Sequence, residues 1–161
     1  MSLRRPLLVA CVGLAACSPM TADAGQQQAS AVPARHPVSG LEVIPLTVTH
    51  AGKAHAFRVE VARSAAEQAK GLMFRDRMGA DEGMLFPRTP PDVPSFWMHN
   101  TVIPLDIIFV GSDRRILNIA ANAVPYDETP LPAHGVSIAV LELNGGRAAQ
   151  LGIGPGDRVD W

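Results

Sequence analysis

Cysteine is nearly missing from this chain: two in 161 residues, Cys11 and Cys17, so no framework of disulfides can staple the fold. Beyond Cys17 no thiol remains, and thiolate nucleophilic catalysis goes with it. An excess of positive charge is lacking as well. Three of the fourteen basic residues and one of the fifteen acidic residues precede Gly40, which leaves eleven Lys and Arg against fourteen Asp and Glu. That balance offers no basic surface for phosphate backbones, so nucleic acid is not an expected partner. There is no G-x-S-x-G nucleophile elbow. The glycine-bearing stretches at 145–146 and 152–156 lack the Lys-Ser/Thr ending of a phosphate cradle and read as turns. His99 has no second His or Cys at ligand spacing, so neither a metal nor another cofactor is expected. Internal repeats are absent too.

What is present begins with an address. A short cationic start, Met1-Ser2-Leu3-Arg4-Arg5, precedes the apolar run Leu7 to Leu14, which is too short for a membrane span and reads as a secretory signal. The run leads into Leu14-Ala15-Ala16-Cys17, which resembles the lipobox of bacterial lipoproteins. Residues 1–16 are then a signal peptide and Cys17 the lipidated first residue of the mature chain. The alternative is cleavage after Ala22-Asp23-Ala24, releasing a soluble periplasmic or secreted protein. Ser18 after the cysteine, by analogy with enterobacterial sorting, favours the periplasmic leaflet of the outer membrane. Residues 17–39, rich in Ala, Gln, Pro and Ser, read as a flexible tether.

One domain is expected over residues 40–161. Fourteen prolines and fourteen glycines in a chain that is 47% hydrophobic favour a turn-rich fold. Strands are predicted over 43–50 and 54–61, with Phe57, Val59 and Val61 alternating against Arg58 and Glu60. Ser64-Ala65-Ala66-Glu67 has the form of a capping box, and Gly71 stands where a short helix ends. Further strands are read at 83–86, in two segments between 96 and 110 broken by Pro104, at 115–123 and at 136–143, with loops at 87–94 and 125–135 and a turn or two of helix at 147–151. The fold class is α+β, mainly β: a small, partly closed barrel with one or two short helices.

The strings GLMFR at 71–75, GMLF at 83–86, FWMHNTVIPLDIIFV at 96–110, VLELNGG at 140–146 and GIGPGDRV at 152–159 together resemble the bacterial and archaeal family called domain of unknown function 192. The resemblance implies a compact, β-rich, often exported domain, and no established reaction. In that family the position of His99 is usually Lys or Arg, so the resemblance gives no support to a mechanism needing an imidazole there.

Within FWMHNTVIPLDIIFV a polar triplet and one carboxyl interrupt an apolar run, and burying them is costly unless each finds a partner. Trp97, His99, Asn100, Thr101 and Asp106, with Arg75 and Glu142, form the candidate ligand-binding set, Trp97 offering a flat aromatic face. No catalytic residue is assigned. Two other readings stay open: a metal-free hydrolase in which Asp106 and Glu142 divide acid and base roles, and a non-catalytic envelope interaction domain in which these groups only satisfy the fold. In the bland case Asp106 and Glu142 are held by Arg75 or by backbone N–H groups. Met73, Met84 and Met98 could supply soft ligands for Cu(I), but methionine beside Leu and Phe is ordinarily core. The expected function is binding of a small polar ligand or envelope component, with a lipid anchor in the membrane.

Overall fold

The alternation of apolar and polar residues after Glu42 folds into a tight hairpin. Strands β1 (Val43–His50) and β2 (Lys53–Val61) pair antiparallel from His50↔Lys53 outward. Ala51 and Gly52 between them both have positive φ, as a two-residue hairpin turn of this twist requires. This computed structural model describes residues 34–161; the signal peptide, Cys17 and residues 17–33 of the tether lie outside the described residues. Residues 35–39, expected as the end of the tether, are fastened to the domain. Arg35 bridges to Glu42, the Val43 N–H donates to the Ala34 carbonyl at 2.7 Å, and the Ser39 hydroxyl bonds to Glu60.

Helix α1 (Ala65–Lys70) carries its own start signal. The Ser64 hydroxyl accepts from the Glu67 N–H at 3.2 Å, and the Glu67 carboxyl accepts from the Ser64 N–H at 2.7 Å, so two donors orphaned at the helix start are satisfied reciprocally. The backbone N–H groups of Ser64 and Arg63 together hold the Glu67 carboxyl below its usual range. β3 (Glu82–Asp92) follows, then the short β4 (Ser95–Phe96), β5 (Leu105–Gly111), β6 (Ile116–Ala123), the short β7 (Leu131–Pro132), β8 (Ser137–Asn144), α2 (Arg147–Leu151) and β9 (Arg158–Asp160).

Two segments differ from the sequence expectation. The chain stays extended through 87–92, expected as loop, but its register with β8 shifts between Pro87 and Asp92, where three prolines cannot donate to a ladder. Residues 97–104, expected as strand apart from a strand-end turn at Asn100-Thr101, lie outside any strand. The Thr101 N–H donates to the Met98 carbonyl at 3.0 Å, and Asn100 adopts a left-handed φ of 52°, which an Asn side chain tolerates.

Seven strands form one sheet in the order β6-β5-β8-β3-β2-β1-β9, with β2 and β3 parallel and the other pairs antiparallel; β4 and β7 form a separate two-stranded ribbon. The fold is thus mainly β with two short helices. The barrel expected from the sequence is not confirmed. The sheet runs open from β6 to β9, and its ends meet at an isolated bridge between Arg115 and Arg158. β9 has only three residues; one edge pairs with Thr47–Thr49 of β1, and the other meets the chain just before β6 through that bridge and a few backbone hydrogen bonds, among them Val159 N–H to the Arg114 carbonyl at 2.8 Å, without a continuous ladder along β6.

Both faces of the sheet are covered, which is why β5 is buried along its whole length. One face packs Leu46, Val48, Phe57, Val59, Ile108, Leu141 and Leu143 against Ala148 and Ile153. The other packs Met84, Phe86, Leu105, Ile107, Phe109 and Val140 against Leu72, Met98 and Phe96. Gly83 lets β3 lie close to β8: a Cβ there would stand 2.5 Å from the Glu142 carbonyl oxygen.

Candidate functional site

The second face of the sheet carries two carboxyls in one row. Glu60 on β2 stands beside Met84 on β3, Met84 is opposite Glu142 on β8, and Glu142 is opposite Ile107 on β5. Only one of the two carboxyls is paired. Arg75 grips Glu60 with two hydrogen bonds, at 2.8 and 3.1 Å; Glu60 is buried and Arg75 partly so. Glu142 is only 5% exposed, and its Oε2 has no hydrogen-bond partner among the described residues. Burial therefore pushes the Glu142 carboxyl up to about 8, since nothing nearby compensates the ionised form. At neutral pH it is largely protonated, and so a hydrogen-bond donor.

The space above Glu142 is a cleft of about 200 Å³. The C-terminal end of α1 and residues 71–73 form one wall; Ser95, Phe96, Trp97, His99 and Thr101 form the other. The wall at Phe96 is stiff, because its ring meets Phe86 edge to face at 5.1 Å and Phe109 at 6.1 Å. At the mouth the Trp97 ring, half exposed, stacks on the His99 imidazole with centroids 4.9 Å apart, and Glu128 pairs with Nδ1 of that imidazole. The Thr101 hydroxyl donates to the His99 carbonyl at 3.2 Å and keeps its lone pairs for another donor. Gln68, Lys70 and Arg88 complete the polar part of the lining. Arg88 is committed to Asp92, with Nε 2.9 Å from Oδ1, and holds that carboxyl below its ordinary range.

Four of the residues singled out in the sequence therefore meet at this cleft: Trp97, His99, Thr101 and Glu142. The other three do not line it. Arg75 points to Glu60. Asn100 shapes the turn, its carbonyl accepting from the Phe74 N–H at 2.9 Å. Asp106 lies in register with Leu143, one residue away from the Ile107↔Glu142 pair, so it faces the opposite side of the sheet from Glu142. There it is fully buried and accepts three backbone N–H groups: Asn122 at 2.7 Å, Gly146 at 2.9 Å and Ala148 at 2.8 Å. Helix α2 has no capping side chain of its own at Gly146, and Asp106 supplies the cap from β5.

This geometry corrects one of the readings left open. Asp106 and Glu142 cannot divide acid and base roles, because a sheet stands between their side chains. Met84 and Met98 are buried in the core of the second face, and only Met73 lines the cleft. Among the described residues no group of three His, Cys, Asp or Glu could hold a metal ion. Gln68, Lys70 and Arg88 were not singled out in the sequence. They sit on an exposed helix and a proline-rich strand, and nothing in their spacing separates them from ordinary surface residues.

A family model for domain of unknown function 192, described as uncharacterised ACR, matches residues 46–161. The chain belongs to this family. Two crystal structures share the fold. A protein of unknown function from Novosphingobium aromaticivorans is 68% identical, with a TM-score of 0.79, covering 82% of this chain and 94% of its own. A protein from Sinorhizobium meliloti, described as a candidate transcription regulator, is 37% identical, with a TM-score of 0.73, covering 74% of this chain and 94% of its own. No curated protein matches.

Proposed function

We propose that this protein is a binding module that takes a small polar ligand, or one moiety of an envelope component, into the cleft between α1 and residues 95–101. The observation that carries the reading is Glu142: a carboxyl buried beneath an open cleft with an oxygen left without a partner. An unmet polar group of this kind costs about 1–3 kcal/mol, and folds rarely keep one that could be replaced by an apolar residue. A ligand reaching the floor of the cleft supplies the missing partner. The half-exposed Trp97 ring at the mouth and the free lone pairs of Thr101 support the same reading.

The test is a thermal-shift screen of polar metabolites on the full chain, followed by chemical-shift mapping of the hits. A ligand at a hundred times its Kd should stabilise the native state by about 2.7 kcal/mol and perturb the Trp97 indole signal, and Trp97→Ala should weaken it. If no compound raises the midpoint, or the perturbed signals map away from the cleft, the reading fails. A second reading, an interaction surface, is favoured by Phe74 and Tyr126. Both are more than half exposed and both hold left-handed φ values, 62° and 61°, which cost free energy for residues with a Cβ. A role in transcription, as described for the Sinorhizobium protein, finds no support through nucleic-acid contact in the acidic balance of residues 40–161.

Export and anchoring belong to the proposal and rest on the sequence of residues 1–18. A lipid on Cys17 would hold the domain at the periplasmic face of the envelope, each buried CH₂ contributing about 0.8 kcal/mol. Cys17→Ser should leave an uncleaved precursor or release the protein to the soluble fraction, and labelled fatty acid should enter only the wild type. Wild type that never takes up the label would exclude the lipid anchor.

A further inference from the structure

We infer that the cleft over Glu142 selects small organic acids that carry a second oxygen acceptor, with the Glu142 carboxyl donating a hydrogen bond to that acceptor and the acid group lying toward Lys70, and that it disfavours amines. This rests on the reading of the cleft as a binding site and names its ligand class. An orphaned buried carboxyl admits two opposed chemistries. Ionised, it draws a cation; protonated, it offers a hydrogen to an acceptor.

The surroundings decide between them. The charged or titratable groups facing the cleft, besides Glu142, are Lys70 from α1, Arg88 from β3 and His99 from the turn after β4. Arg88 has Asp92 and His99 has Glu128, whereas Lys70 has no carboxylate partner among the described residues. Among the described residues no second acid lines the cleft. Glu60, in the same row of the sheet, is held by Arg75, and Asp106 is on the other face. An entering amine would pass Lys70 and Arg88 to reach one carboxyl whose ionisation burial opposes. An acceptor oxygen meets a donor already in place. Between floor and mouth the walls are Leu72, Met73 and Phe96, which suit a short apolar middle, and about 200 Å³ holds a moiety of roughly ten non-hydrogen atoms at interior packing density.

The experiment is calorimetric titration of the full chain between pH 6 and 9.5 with N-acetylalanine, 4-hydroxybutanoate and 1,5-diaminopentane. The two acids should bind and the diamine should not. Acid affinity should be level at low pH and fall toward tenfold per pH unit once the pH passes the value near 8 that burial gives Glu142. Glu142→Gln, whose amide donates without ionising, should bind the acids with that fall removed, and Glu142→Leu should lose them. Diamine binding that strengthens with pH and disappears in Glu142→Gln would overturn the inference while leaving the cleft a binding site. So would cleft ligands from the wider screen that include no acid. If neither the acids nor any screened compound binds at the cleft, both the inference and the reading beneath it fall.

Discussion

Asp106→Ala should destabilise the domain by more than about 3 kcal/mol, read as a fall in the denaturant midpoint at unchanged slope. The carboxyl accepts the N–H groups of Asn122, Gly146 and Ala148, and all three lose their partner together. Each buried donor left unmet costs about 1–3 kcal/mol. Water cannot readily substitute, since Asp106 is fully buried and Ala148 nearly so. The loss should be local in its first effect. α2 has five residues, too few to persist without a cap, and it should exchange its amide hydrogens faster than β5 and β8 do. Asp106→Asn should cost less, because its one carbonyl oxygen can keep the Asn122 and Gly146 bonds while the amide nitrogen faces the Ala148 N–H. An Asp106→Ala variant of wild-type stability would remove the tertiary cap from the account of this fold.

Glu142→Gln should abolish a pH dependence that the wild type shows. In the native state burial raises this carboxyl to about 8 from an ordinary 4.5. Below pH 4.5 both native and unfolded chains hold the proton and the group exerts no pH-dependent effect. Between 4.5 and 8 the unfolded chain releases it while the native chain keeps it, so stability falls as pH rises, by about 1.4 kcal/mol per unit. Above 8 the slope ends. The accumulated loss is on the order of 5 kcal/mol, and the Gln variant should be the more stable protein at pH 8 by an amount of that order. Asp92, held low by Arg88, acts in a different window: its contribution is present above the ordinary carboxylate range and is lost as pH falls below it. Unfolding curves at pH 5, 6, 7 and 8 for both proteins check this. Parallel pH profiles would show that Glu142 is solvated or paired in solution.

Much of the fold was legible because its signals are local. The capping box at Ser64 and Glu67 involves residues three apart, and both of its bonds form. Alternation in residues 54–61 and the continuous apolar run at 107–110 mark strands by period and composition alone. Residues 87–92 misled because proline signals a break in hydrogen bonding, and the chain there stays extended while its pairing lapses. The barrel is not confirmed for a different reason. Strand number can be read from a sequence, but closure depends on the tilt and stagger of the whole sheet, which set how far its end strands run side by side.

For the site, the sequence by itself determined that polar groups stand within apolar strands, that family membership covers residues 46–161, and that no thiol or nucleophile elbow is present past Cys17. It could not say which of those groups share a space. Asp106 and Glu142 look alike on the page, each a carboxyl between apolar neighbours. Register separates them, because side chains alternate across a sheet and a shift of one position puts them on opposite faces. One face brings backbone N–H groups to the carboxyl and makes Asp106 a structural cap. The other brings the mouth formed by α1 and Trp97, with Arg75 already taken by Glu60, and leaves Glu142 without a partner. Those contacts join residues dozens of positions apart, so tertiary structure alone decided which carboxyl holds the fold and which is free to meet a ligand.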